Sequence, residues 1–176
     1  MKIDILSIIK GHIITLYNNR TGRVSIQDIL LFYLIPILLS TYMYHYGKIF
    51  DGNAYNISIT FFGIFIALIL NIQVAIFSIF QRKWDASSDA RINKLIEEKL
   101  ENRRKLLIEL NVNLSYLVLV CCAALIISLL SYIQSINSRF ISFVVVFLYT
   151  HFILTLLMVV KRAHALFDKE YRHSPE

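Results

Sequence analysis

Charged side chains are scarce in this 176-residue chain: Asp, Glu, Lys and Arg make up 17%, against roughly a quarter in soluble domains. Hydrophobic residues reach 57%, and the mean hydropathy is +0.60. A soluble fold of this composition has too little polar surface to cover itself, whereas a lipid-facing exterior needs none. Cysteine is confined to Cys121 and Cys122, adjacent within an apolar run. A disulfide between such neighbours is strained, so a disulfide framework is excluded and both thiols act as small hydrophobes. The sequence holds no phosphate loop, no Gly-rich dinucleotide turn, no nucleophile elbow and no His-Glu-x-x-His zinc motif. The five histidines, His12, His45, His151, His164 and His173, show no metal-ligand spacing. No cofactor, metal or enzymatic activity is therefore expected. Lys2 and Asp4 open a mixed stretch that reaches Arg20 and Arg23 before any long apolar run, so a cleavable signal is not expected either.

Four apolar stretches approach the roughly 20 residues needed to cross about 30 Å of hydrocarbon. They run over 29–46, 57–80, 114–133 and 140–160, and none contains Asp, Glu, Lys or Arg. A backbone crossing lipid must satisfy its own polar groups, so all four read as helices. Pro36 interrupts the first, and Ser40, Thr41, Tyr42, Tyr44, His45 and Tyr46 make its end amphipathic. That suits a kinked helix with a Tyr-rich interfacial anchor. The expected fold is all-α: an integral membrane four-helix bundle with a cytoplasmic helical extension and an N-terminal amphipathic helix. Its parts are an interfacial arm (1–24), a first transmembrane hairpin (25–80), a charged helical loop (81–113), a second hairpin (114–160) and a basic tail (161–176).

The net charge of +6 admits nucleic-acid binding, but membrane proteins also collect Lys and Arg in cytoplasmic loops. Of the 18 basic residues, all but Lys48 and Arg139 fall in the arm, the central loop or the tail. The positive-inside rule then puts both termini and the central loop in the cytoplasm.

In the arm, Ile5, Ile9, Ile13 and Leu16 recur at helical spacing while Lys2, Asp4, Lys10 and His12 are polar, as in an interfacial helix. A short strand is the alternative, since Ile13, Ile14 and Tyr17 before Asn18 and Asn19 also suit a hairpin. Thr21-Gly22 makes a turn, and Ser25 with Asp28 resembles a capping box. The central loop leaves the second span through Gln81, Arg82, Lys83 and Trp84 and breaks near 86–89. From Ile92 to Leu110 it keeps a helical period, with Lys94–Glu98 and Glu101–Lys105 as i,i+4 pairs. No Gly or Pro separates it from the third span. It either runs continuously into the membrane, so that its movement tilts that span, or is a solvated spacer.

Within the spans, Gly63, Ala67, Asn71 and Ala75 follow one another at intervals of four. Such a small-residue row lets backbones approach, and its Asn can bond across the contact. It is either a tight pair within one subunit or a subunit interface or pore wall. Gln73 points about 200 degrees away from Asn71 on an ideal helix and needs another neighbour. Cys121, Ala124, Ser128 and Ser131 form a second small face, suited to packing. His151 is the deep histidine, a titratable ring or an interhelical hydrogen-bonding one. With no other buried acid or base expected, a proton pump, ion-coupled transporter or voltage sensor is unsupported, and no internal repeat suggests an inverted-repeat transporter. Arg103, Arg104 and Lys105 are candidate contacts for an anionic partner such as a nucleic acid or nucleotide regulator, or for inner-leaflet lipid.

The stretch 16–24, Leu-Tyr-Asn-Asn-Arg-Thr-Gly-Arg-Val, running into 28–32 and Ile35-Pro36, resembles the start of small bacterial membrane proteins of anti-phage defence operons. Residues 61–65 and 73–77, followed by a charged helical loop, are similar to the same group. Within it the chain most resembles the membrane effector of Hailong-type systems, with the Kiwa membrane subunit close behind. The first resemblance implies a homo-oligomeric channel held closed by a partner or nucleic-acid product and opened on infection. The second implies an envelope sensor that signals to a soluble DNA-binding protein.

Substituted-cysteine labelling, in a chain lacking Cys121 and Cys122, is expected to reach Asn53 from outside the cell and to leave Ser88 and Ser174 protected. External labelling at Ser88 would reverse the topology.

Overall fold

The computed structural model describes residues 4–18, 23–24, 29–80 and 90–171. The turn at Thr21-Gly22, the capping box at Ser25 and Asp28, the exit through 81–84, the break at 86–89 and the Lys94–Glu98 pair lie outside what is described. Five helices follow in order: α1 (Ile5–Thr15), α2 (Leu30–His45), α3 (Gly52–Phe80), α4 (Ala90–Ile133) and α5 (Arg139–Tyr171). Between α1 and α2, Tyr17–Asn18 pairs antiparallel with Arg23–Val24. In the arm Ile13 and Ile14 are helical rather than extended, and the strand pairing is confined to two residues on each side.

Among the described residues three helices are long and apolar enough to cross a membrane, over Gly52–Ser78, Arg103–Ile133 and Arg139–Ala165. The expected first span is shorter: Leu30–His45 extends only about 24 Å at 1.5 Å per residue. Its first five residues, Leu30–Leu34, form a π-helical turn just ahead of Pro36. Proline has no N–H, so the carbonyl four residues earlier, Phe32, loses its α-helical donor and is crowded by the ring. Gly47, at φ +66°, takes the left-handed conformation that stops α2, and Lys48 N–H closes on Met43 O at 3.1 Å. Asp51 then caps α3 through Ala54 N–H at 2.8 Å.

The 44 residues of α4 form one unbroken helix, the continuous alternative for the charged loop. It packs between α3 and α5, and α2 packs on α5. A heptad seam holds them. On α4 the seam runs through buried Leu107, Leu110, Leu114, Leu117, Cys121, Ala124, Ser128 and Ser131; α3 supplies Tyr55, Phe62, Ile69 and Ile76, and α5 supplies Val145, Phe152 and Val159. Spacings of three and four on one helix against seven on its neighbours are those of left-handed knobs-into-holes packing. Phe61, Phe62 and Phe65 reach past α4 to Tyr149 and Phe152, with ring centroids 4.5–5.8 Å apart.

Polarity runs inside out. His12, Ser40, Ser58, Asn113, Ser128, Ser131, Ser142, His151 and Thr155 are buried, whereas Leu6, Leu38, Ile57, Val74, Phe77, Ile126 and Leu157 are exposed. In water such a surface would aggregate; in lipid the apolar exterior costs nothing and polar groups gain by pairing inside. The arm obeys the same rule. Ile5, Ile9 and Ile13 are exposed, while His12 and Leu16 face the bundle. Gly11 lets this face approach, since a Cβ there would lie 3.0 Å from Val112 Cγ1.

Candidate functional site: a buried histidine node

Four helices meet around two histidines. His151 on α5 is 2% exposed and His12 on α1 is fully buried, and their ring centroids lie 6.4 Å apart, edge to face. His151 Nδ1 lies 2.9 Å from the carbonyl of Phe32, the group that Pro36 deprives of its helical donor. A carbonyl only accepts, so Nδ1 carries the proton and Nε2 accepts from Tyr116 Oη–H at 2.8 Å. One neutral imidazole thereby joins α2 to α4, and His151 takes the interhelical hydrogen-bonding role. Phe147 stacks on the ring at 5.8 Å and Tyr33 lies at 5.1 Å.

His12 sits on the other face of Tyr116's neighbourhood, stacked on that ring at 3.8 Å with 4° between planes. Its Nδ1 lies 2.8 Å from Asn113 Oδ1. Asn113 Nδ2 donates to Glu109 O at 2.8 Å, which orients the amide and leaves Oδ1 as acceptor. The proton of neutral His12 is therefore on Nδ1, and Nε2 holds a lone pair with no hydrogen-bond partner among the described residues. Thr15 Oγ1 lies between His12 O, at 2.7 Å, and Asn113 Oδ1, at 2.8 Å. Arg162 on α5 donates to Thr15 O at 2.6 Å and pairs with Glu109 at 3.4 Å. A cation at the C-terminal end of α1 also suits the helix dipole. Burial, opposed by the hydrogen bond to Asn113 and aided by the neighbouring His151 ring and the Arg162 cation, lowers the pKa of His12 from 6.5 to about 4.

Sequence reasoning placed His12 on a polar, interfacial face and missed it as a buried group. Adjacency to Gly11 was the available signal, because a glycine beside a polar residue marks a close helix approach. The other candidates lie elsewhere. On α3, a Cβ at Gly63 would come within 4.0 Å of Leu125 on α4, whereas Ala67, Asn71 and Ala75 are exposed. Gln73 does find its separate neighbour, donating to Ser115 Oγ at 2.9 Å. On α4, Arg103 is half-buried and Arg104 exposed, and Lys105 pairs with Glu101 at 2.8 Å on the surface. All three lie at least two turns of α4 before Asn113. No family model, curated protein or solved structure matches the chain.

Substituting His151→Leu strands Tyr116 Oη and the Phe32 carbonyl together and should lower stability by about 1–3 kcal/mol, read as thermal unfolding in detergent micelles. Adding Pro36→Ala restores an N–H for Phe32 and should recover part of the loss. An unchanged H151L protein would mean that the node carries no stability.

Proposed function

We propose that this chain is a multi-pass bacterial inner-membrane protein that works as a homo-oligomeric channel gated from the cytoplasmic side. The carrying observation is the exposed row Ala67, Asn71 and Ala75 on α3. Asn71 lies about 21 Å along the helix from Ile57, within the apolar stretch, where an exposed carboxamide is costly unless another polar group meets it. Gln73 already satisfies the inner face of α3 through α4, so the outer row needs a partner from outside the chain. Its small residues suit the same row of a second copy, and Asn71 repeated about a symmetry axis makes a polar ring able to pass water or ions.

Control from the cytoplasm is supported by α4. Its charged half and its membrane half are one rigid rod, so a partner or nucleic-acid ligand that moves the region around Arg103, Arg104 and Lys105 turns the seam residues with it. The proposed topology has α2 as a fourth, short span, and both termini and residues 81–113 inside. In the anti-phage setting implied by the resemblance, opening would collapse the membrane potential.

Replacing Ala67→Leu or Asn71→Leu should weaken self-association roughly tenfold, from about 1–2 kcal/mol per lost contact, measured by native mass spectrometry from detergent, and should abolish conductance in planar bilayers. An A67L protein that assembles and conducts normally would place this face in lipid and defeat the channel reading. Inserting Gly-Gly after Lys105, between the basic cluster and the seam that begins at Leu107, should uncouple infection from depolarisation. If depolarisation follows infection unchanged, α4 does not transmit the signal.

A further inference from the structure

We propose that α1 is a releasable latch on the bundle, closed while His12 is neutral and opened when the ring takes up a second proton. The inference concerns the docking of α1 and holds whether or not the protein conducts.

Two straps close the latch. One is His12, inserted between Asn113 and the face of Tyr116; the other is Arg162, which holds the last carbonyl of α1 at Thr15. The first depends on protonation. Because Asn113 Oδ1 fixes the existing proton on Nδ1, a second must enter at Nε2, which is buried and meets no acceptor among the described residues. Among the described residues no carboxylate is bonded to the ring. From α4 the ring meets Tyr116, whose hydroxyl is committed to His151; Glu109, one turn before Asn113, has its carboxylate engaged by Arg162. From α5 it meets His151, with both nitrogens bonded, and the cation of Arg162. An imidazolium here would be a desolvated charge beside another cation.

The sign follows from linkage. Docked His12 has its pKa lowered from 6.5 to about 4, so the docked state binds fewer protons than the released one. Docking strength is full above pH 6.5 and falls as the pH drops from there towards 4, by about tenfold per unit, or roughly 20-fold between pH 7 and pH 5. Release of α1 removes the ring stacked on Tyr116, and Tyr116 is the link to His151 and the Phe32 carbonyl. A proton on α1 therefore loosens the tie between α4, α5 and α2.

Spin labels at Leu6 and Ile126, both exposed, report the latch in the full chain, reconstituted in nanodiscs with Cys121 and Cys122 replaced by Ala. At pH 7.5 a single narrow distance distribution is expected; on acidification a second, broader population should grow between pH 6.5 and 4.5. His12→Leu should remove the pH response. Asn113→Asp supplies a carboxylate for the imidazolium and should keep α1 docked at pH 5, a rescue that a purely structural role for His12 would not produce. A distribution that does not change with pH in the unsubstituted His12 chain would overturn the proposal. So would an acid response of equal size in H12L, which would assign the titration to another group such as Glu109.

Discussion

A carbonyl without a donor organises the centre of this protein. Pro36 takes away the N–H that would close the helix on Phe32, and among apolar helices no water is available to replace it. The turn widens to a π-helix and His151 supplies the missing donor. Once Nδ1 is committed, Nε2 must accept, which selects Tyr116 on α4 as its partner. Tyr116 in turn offers its ring face to His12. Proline on one helix thus sets the tautomer of a histidine on a second, the hydroxyl direction of a tyrosine on a third and the docking surface for a fourth.

The same shortage of water explains the polarity of the whole molecule. Hydrophobic burial gives little drive between helices when their surroundings are equally apolar, so close packing and internal hydrogen bonds take over. Small residues accordingly line the α4 seam at Cys121, Ala124, Ser128 and Ser131, and Gly11 lets α1 press on Val112. Many other leucines and isoleucines, among them Leu6, Leu38, Ile57, Ile126 and Leu157, face outward. Within that scheme Asn71 stands out, because it is polar, lies in an apolar stretch and remains exposed; the proposed oligomer gives it a partner. The proposed latch and the proposed subunit face lie on different helices, α1 and α3, and both bear on α4, the helix that continues into the charged region.

By itself the sequence determined the class of structure. Charge-free runs of about 20 residues over 57–80, 114–133 and 140–160 read as helices in lipid, because a helix satisfies its own backbone within one segment, and the missing Gly and Pro between Ile92 and Leu114 left room for an unbroken α4. The 200-degree separation of Asn71 and Gln73 likewise foretold two different environments. Which face of each helix turns inward was decided only by the tertiary structure, for a physical reason: where almost every residue is apolar, hydrophobic periodicity carries no contrast, and direction is set by complementary pairs distant in the chain. His12 illustrates this. Its neighbours in sequence, Ile9, Ile13 and Ile14, argue for a polar residue on an outer face; its neighbours in space, Asn113, Tyr116 and Arg162, turn it inward, because a donor and an acceptor about a hundred residues apart satisfy each other better than either is satisfied by lipid.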